Sequence, residues 1–219
     1  MTKAFKLTPK QLEAQKLIAE GAKHFMLYGG SRSGKTFLHC RNLAMRAIKA
    51  PQSRHGAFRY RFNAIKSTIV LDTFPTVMRL AFPDIQYRID KTDWYATFPN
   101  GSEIWFGGLD DKDRTEKILG MEFSTLYFNE CSQIPHSSIM IALTRLAQKV
   151  DQIVDGKATP LMPRAFYDEN PPTKAHWSYR KFIEKLDPET RSKLTNPNDY
   201  ASYRINPQDN AENIADDYV

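Results

Sequence analysis

Residues Gly29–Thr36, with the sequence G-G-S-R-S-G-K-T, restrict the possible folds of this chain more than any other stretch. They match the pattern G-x-x-x-x-G-K-S/T. They lie between a short apolar run, residues 25–28, and a stretch with helical spacing of apolar residues that begins at Phe37. In a strand–loop–helix arrangement, the glycines allow a tight turn whose backbone N–H groups point at a phosphate, and the helix dipole adds attraction. The motif therefore predicts a binding site for a nucleoside triphosphate.

The side chains of this phosphate loop have separate expected roles. Lys35 would reach the β- and γ-phosphates, and the Thr36 hydroxyl would bind Mg²⁺. We expect every residue of the loop to contact the nucleotide: Gly29, Gly30, Ser31, Arg32, Ser33, Gly34, Lys35 and Thr36.

Length and composition are those of one soluble globular domain. The chain has 219 residues, of which 41% are hydrophobic and 26% are charged. Its apolar runs are far shorter than the roughly 18 residues of a membrane span. The two cysteines, Cys40 and Cys131, are too few for a disulfide framework or a cysteine-rich metal site. These features predict an intracellular protein.

The net charge of +6 is unevenly distributed. Residues 1–70 contain 14 lysines and arginines but only 2 acidic residues. Such a stretch creates a positive potential suited to a nucleic acid backbone, although a solvated face that also helps to hold the nucleotide would have the same composition. Seven cations lie between Thr36 and Leu71 without an acidic residue among them: Arg41, Arg46, Lys49, Arg54, Arg59, Arg61 and Lys66.

Strand-like and helix-like segments alternate along the chain, which predicts an α/β fold with a mostly parallel sheet. The Asn100-Gly101 turn predicts a β-hairpin between residues 94–98 and 102–106. We expect a loop at residues 51–56, a strand at 58–62, a helix over 66–81 that Pro75 kinks, a mobile loop at 151–163 and a short strand at 200–205. Ligands bind at the carboxyl ends of such parallel strands, so the phosphate loop, residues 129–130 and residues 168–170 could converge on one site.

Gln11 fits two roles. Thr8 as N-cap, Pro9 at the first helical position and Gln11 three residues after Thr8 form the pattern of a capping box. Many nucleotide-dependent motors also place a glutamine just before the first strand, where it contacts the adenine edge. The sequence leaves both roles open.

The candidate catalytic groups follow a second apolar strand, residues 125–128. Glu130 could polarise the attacking water, or it could cap the next helix. P-loop ATPases usually place an aspartate just before this glutamate, but here Asn129 could only hold Mg²⁺ through a water, without negative charge. An arginine that stabilises the transition state could be Arg32, Arg114 or Arg145.

Four segments in this order resemble the ATPase domain of the large terminase subunit, the DNA-packaging motor of tailed double-stranded DNA viruses. Residues 8–11 occupy the place of the family's adenine segment, and residues 29–36 are its phosphate loop. Residues 115–120 with 126–130 are similar to its E-K-I-x-G segment and acidic strand. Residues 168–172, followed by His176-Trp177, resemble its coupling motif, with Asn170 at the motif's asparagine.

The resemblance implies a P-loop NTPase fold of the ASCE type and hydrolysis of ATP with Mg²⁺, coupled to translocation of double-stranded DNA into a procapsid. It implies a ring of about five subunits, in which Arg114 could complete a neighbour's site, although an isolated domain could be a monomer. The portal protein and the small terminase subunit would be partners, in the host cytoplasm. We expect residues 1–187 to form the ATPase core. Residues 188–219 would begin a lid or linker towards a C-terminal nuclease domain that this chain lacks.

Two other functions stay open. The chain could be another nucleic-acid-stimulated ATPase, such as a helicase-like motor, although no second motor domain is visible. It could also be a nucleotide-binding switch with weak hydrolysis, which the uncharged Asn129 would favour. A small-molecule kinase is less consistent with the sequence, because no acceptor site or arginine-rich lid is visible.

Overall fold

The computed structural model describes residues 5–110, 116 and 120–213. Its centre is an eight-stranded sheet with the order β10-β1-β9-β6-β2-β5-β4-β3. The six strands from β10 to β5 run parallel, and β4 and β3 are antiparallel. The expected α/β fold with a mostly parallel sheet is therefore confirmed. The strands are β1 (His24–Tyr28), β2 (Arg54–Arg59), β3 (Arg88–Asp90), β4 (Tyr95–Thr97), β5 (Glu103–Gly108), β6 (Thr125–Phe128), β7 (Asp151–Val154), β8 (Lys157–Pro160), β9 (Arg164–Glu169) and β10 (Tyr200–Arg204).

Helices cover this sheet. The α-helices are α1 (Pro9–Ala19), α2 (Lys35–Lys49), α3 (Phe62–Ile65), α4 (Phe74–Ala81), α5 (His136–Leu143) and α6 (Trp177–Tyr179). A π-helical segment, Lys66–Thr73, joins α3 to α4, and another, Arg180–Glu184, continues α6. A break in the helix near Pro75 was expected, because proline has no backbone N–H to donate. Within the described part of the chain, no helix is long and apolar enough to cross a membrane.

The start of α1 follows the predicted capping pattern. The Thr8 side chain accepts a hydrogen bond from the Gln11 backbone N–H at 3.3 Å, and the Gln11 side chain accepts one from the Thr8 N–H at 3.0 Å. The two bonds satisfy backbone donors that a helix start leaves free. The capping role of Gln11 is confirmed.

Both faces of the sheet are buried. Phe25 and Leu27 of β1 pack in the cluster beneath α1, α2 and α4, whereas Met26 packs in the opposite cluster with Phe128 and Phe182. This alternation is the two-residue period of a strand covered on both sides. The continuous apolar strands seen in the sequence are therefore the central strands of the sheet.

Three predicted segments were wrong, among them the loop expected at 51–56, of which residues 54–56 belong to β2. The strand expected at 58–62 begins earlier, as β2, because the buried His55 and Gly56 pair with strands on both sides. Residues 151–163 are largely a hairpin, β7–β8, rather than a mobile loop. Its turn is Asp155-Gly156, with φ of 49° and 74°, a hairpin signal present in the sequence.

Residues 200–204 form an edge strand of the main sheet. β10 pairs in parallel with β1 over its full length, from His24–Tyr200 to Tyr28–Arg204. A strand that follows residue 187 thus belongs to the main sheet, and the boundary expected at residue 187 stays a prediction. After β10 the chain crosses the start of the phosphate loop, where the Ile205 N–H donates to the Tyr28 carbonyl at 2.9 Å.

Candidate functional site

The phosphate loop lies at the carboxyl end of β1 and leads directly into α2. Gly34 has a φ of 84° and is the N-cap of this 15-residue helix, so the helix N-terminus opens onto the loop. Arg32 also has a positive φ, 59°. Beside the loop is a cavity of about 370 Å³, lined by Ser31, Arg32, Ser33, Gly34, Lys35, Thr36, Phe37, Asp72, Thr73, Thr76, Glu130, Asn170 and Asn210. Its volume suits a small-molecule ligand.

Lys35 is held against the loop by several oxygens. Its Nζ donates to the carbonyls of Gly29 and Gly30 at 2.9 and 2.7 Å and to the Ser33 hydroxyl at 3.1 Å. Burial lowers the pKa of Lys35, while the charges of three nearby carboxylates, first that of Asp168, act in the opposite direction. The ammonium is thus held at the cavity, and the Lys35 side chain would lose little rotamer freedom on binding a ligand there.

Asn170 connects the loop to β9. Its Oδ1 accepts from Lys35 Nζ at 3.4 Å, and its Nδ2 donates to the Ser31 hydroxyl at 3.1 Å. Asn170, the asparagine of the segment that resembles the coupling motif, therefore lies at the phosphate loop.

Thr36, the expected metal ligand, contacts a carboxylate to which the sequence analysis assigned no role. Its hydroxyl donates to Asp168 Oδ2 at 2.8 Å. The Tyr127 hydroxyl donates to the same oxygen at 2.7 Å, and the Asn129 amide lies 3.0 Å from Asp168 Oδ1. Asn129 is buried at the end of β6, and its Nδ2 is directed at oxygens of Thr36, Tyr127 and Asp168.

Glu130 is the residue after Asn129, and its backbone is in the left-handed region, with φ and ψ both 50°. Such a conformation is uncommon for a non-glycine residue and is concentrated at functional sites. Burial raises the pKa of the Glu130 carboxyl, and the charge of Asp168 raises it further, whereas Arg59 and Lys35 lower it. The Asn170 backbone N–H donates to the carboxylate. A half-buried carboxylate with a raised pKa beside Lys35 suits proton transfer. Within the described chain Glu130 has no side-chain capping bond to the following helical turn.

The three candidate arginines differ in position. Arg32 lies in the phosphate loop, and its carbonyl accepts from Asn210 Nδ2 at 2.8 Å. The Arg145 carbonyl accepts from the Phe123 N–H at 2.8 Å, which places this residue at the start of β6, opposite the end that carries Glu130. Arg114 lies outside the described residues, and its role stays a prediction.

Two segments hold the phosphate loop in place. A Cβ added at Gly29 would lie 1.9 Å from the Ile205 carbonyl oxygen, and one added at Gly34 would lie 2.4 Å from Gln11 Nε2. Gly29 is therefore required by its close approach to backbone as well as by its φ of 142°, whereas Gly34 is required by its φ of 84°. Gln11 lies against the loop, but its contact with adenine stays a prediction.

The basic stretch is only partly available to a partner. The half-buried Arg46 donates to Thr125 Oγ1 at 2.7 Å and to the Met162 carbonyl at 2.6 Å, and burial lowers its pKa to about 9. Arg54 forms an ion pair with Glu103 at 3.1 Å. Two of the seven cations therefore serve the fold, which weakens the charge argument for a polyanion without removing it.

The sequence analysis assigned no role in the site to Asp168, Tyr127 or Asn210. Asp168 has a partial signal in the sequence, because it is one of two acidic residues at the end of a predicted strand while position 129 carries no negative charge. Tyr127 and Asn210 carry no comparable signal, because their contacts depend on the order of the strands.

Comparison with known proteins identifies a family and several solved structures with a similar fold. The family model described as terminase large subunit, T4likevirus-type, N-terminal, matches residues 26–218. The large terminase of a thermophilic bacteriophage superposes with a TM-score of 0.73 at 16% identity, covering 97% of this chain and 48% of that one. Its complex with ATP-gamma-S superposes with a TM-score of 0.67 at 16% identity, covering 97% of this chain and 47% of that one.

The ATPase domain of the large terminase from a Thermus phage gives a TM-score of 0.60 at 17% identity, covering 91% of this chain and 81% of that one. No curated protein matches the sequence. The chain spans about half the length of the thermophilic-phage terminase that it superposes on. Because the family model covers most of the chain, and the sheet, phosphate loop and acidic strand are in place, this chain belongs to the terminase large subunit family, T4likevirus-type, as its N-terminal domain.

Proposed function

We propose that this chain is an ATPase module that binds ATP at the phosphate loop and hydrolyses it with Glu130 as the group that polarises the attacking water. The observation that carries the proposal is the convergence of Lys35, Thr36 and Glu130 on one cavity. The phage terminase that superposes over 97% of this chain was solved with ADP and with ATP-gamma-S, which supports nucleotide binding by this chain.

Each group would act on the charge that develops during hydrolysis. Lys35 would bind the β- and γ-phosphates, and the Glu130 carboxylate would orient the water and accept its proton. Bound Mg²⁺ would neutralise charge on the same phosphates, and the oxygens of Thr36 and Asp168 are the hard donors that this ion prefers. Among the described residues no group of three acidic, histidine or cysteine side chains is arranged to hold a metal ion by itself, and the triphosphate would supply further ligands. Arg32 within the site, or Arg114 from a neighbour, would add positive charge.

In the whole protein, we infer that ATP turnover drives double-stranded DNA into a procapsid. Membership in the large terminase family supports this role. The portal protein, the small terminase subunit and further copies in a ring of about five would be partners, in the host cytoplasm. A nucleotide switch without hydrolysis is less well supported, since the negative charge that Asn129 lacks is present nearby on Asp168.

Phosphate release with Mg·ATP tests the proposal. We expect Glu130→Gln to lower kcat by about 10²–10⁴-fold while ATP binding is retained, because a general base contributes on that scale. Glu122→Gln, at the exposed residue just before the same strand, is the matched control. Unchanged turnover in Glu130→Gln would remove Glu130 from the mechanism. Binding without turnover in the unaltered chain would favour the switch.

A further inference from the structure

Position 129, directly after β6, lacks the negative charge that P-loop NTPases use there to hold Mg²⁺. P-loop NTPases hold this ion with the loop Ser/Thr and an aspartate on the acidic strand. Here the corresponding residue is Asn129, whose amide is neutral and whose Nδ2 is a donor, so it cannot neutralise a cation. If the proposed ATPase function holds, another carboxylate has to lie near the Thr36 hydroxyl.

The strand order brings such a carboxylate to this position. β9 lies between β1 and β6, and Asp168 is level with Leu27 on one side and one residue beyond the Phe128–Tyr167 pair on the other. Its carboxylate contacts the Thr36 hydroxyl at 2.8 Å and the Asn129 amide at 3.0 Å. The negative charge beside Thr36 is thus on β9 rather than on the neighbouring β6, and it lies one hydrogen bond away from Asn129.

The surroundings of Asp168 hold a charged carboxylate without neutralising it. The side chain is 1% exposed and accepts hydrogen bonds from two hydroxyls, one amide and the Glu130 backbone N–H, all neutral donors. Among the residues that the structure describes, it forms no ion pair. Burial raises the pKa of the Tyr127 hydroxyl, so that donor keeps its proton. A buried carboxylate is costly to maintain for structure alone, because an amide could accept some of the same bonds.

We infer that Asp168, at the end of β9, is the carboxylate that holds the magnesium ion of the bound nucleotide together with Thr36, in place of the residue at position 129. Asn129 then orients the Asp168 carboxylate rather than neutralising the ion. The inference rests on the proposed nucleotide binding and extends it, since it assigns the metal site to a strand other than the one the motif predicts.

Exchanging the two side chains tests the inference. Asp168→Asn removes the charge, and the double variant Asn129→Asp/Asp168→Asn restores it on the other side of the same contact. Asp84→Asn, in an exposed loop, is the control for net charge. The readout is the affinity for ADP by titration calorimetry, with Mg²⁺ and with EDTA, so that turnover is not involved.

We expect Mg²⁺ to strengthen ADP binding by the unaltered chain and by Asp84→Asn. In Asp168→Asn this enhancement should fall by at least about tenfold, as metal-site substitutions usually do, while affinity in EDTA is not weakened. The double variant should recover part of the enhancement. Retention of ADP binding in EDTA shows that each variant is folded.

An enhancement in Asp168→Asn equal to that of the unaltered chain would overturn the inference and leave nucleotide binding intact. If Asp168→Asn does not fold, the double variant decides. Recovery of the enhancement supports the inference, and ADP binding that is insensitive to Mg²⁺ contradicts it. Failure of the unaltered chain to bind ADP in either condition would instead remove the proposed function, and the inference with it.

Discussion

The buried carboxyl of Glu169 should make the stability of this protein fall as pH rises through neutrality. Glu169 is 2% exposed, and burial raises its pKa from 4.5 to about 7, with further contributions from the charges of Asp168 and Glu130. Ser178 Oγ and Cys131 Sγ donate to its two oxygens at 2.8 and 3.2 Å, which limits the rise. Because the folded state binds the proton more tightly than the unfolded state, this contribution to stability is present at low pH and lost towards high pH.

The size of the effect follows from the two pKa values. A difference of this size corresponds to about 3 kcal/mol in full, of which about 2 kcal/mol is lost between about pH 5.5 and about pH 8. In Glu169→Gln the amide replaces the protonated carboxyl and does not titrate. The free energy of unfolding of the unaltered chain should therefore fall by about 2 kcal/mol relative to the variant over this interval.

Urea titrations at the two pH values measure this difference, provided that the m-values agree. Glu184→Gln, which removes an exposed carboxyl from the helical segment after α6, is the matched control. If the unaltered chain and Glu169→Gln lose or gain stability in parallel across this range, the carboxyl is not held protonated by its surroundings and the reasoning fails.

Two further predictions concern the site. Arg59 lowers the raised pKa of Glu130, so Arg59→Gln should move the acid limb of the kcat–pH profile to higher pH. The control Arg61→Gln, at an exposed residue, should leave the profile unchanged. Coincident profiles of Arg59→Gln and the unaltered chain would exclude Arg59 as a neighbour of the base. Gly29→Ala places a Cβ 1.9 Å from the Ile205 carbonyl and should lower stability by more than the about 1–3 kcal/mol expected for a strained φ alone. Gly156→Ala, with a φ of 74° and nothing within 4 Å of its Cβ, is the control for a positive φ without a close contact, and equal losses in thermal unfolding would contradict the contact.

Local signals in the sequence were sufficient for some elements and not for others. The phosphate loop, the capping box of α1 and the Asn100-Gly101 hairpin were predicted because each depends on residues within a few positions of one another. β2 was displaced because its first half contains arginine, histidine and glycine, which form a strand there only through pairing on both sides. The hairpin β7–β8 was missed although Asp155-Gly156 announces its turn.

The candidate site was predicted on the same basis. Lys35, Thr36, Glu130 and Asn170 lie at one cavity, since each follows a parallel strand whose carboxyl end reaches the same edge of the sheet. Asp168 was not placed beside Thr36, because that contact depends on β9 lying between β1 and β6. The order of strands is set by long-range packing, and no local pattern encodes it.

The end of β9 is where these results meet. Asp168 contacts Thr36 and Asn129, whereas Glu169, the next residue, contacts Cys131 and Ser178. Successive side chains of a strand point to opposite faces, so two adjacent carboxyls face different surroundings, one at the phosphate loop and one beneath α6. The two carboxyls are also coupled, since the charge of Asp168 raises the pKa of Glu169 as well as that of Glu130. A substitution at Asp168 should therefore change the Glu169 titration as well, and the two effects are separable only in a double-mutant cycle that measures Mg²⁺-dependent ADP affinity and pH-dependent stability on the same variants.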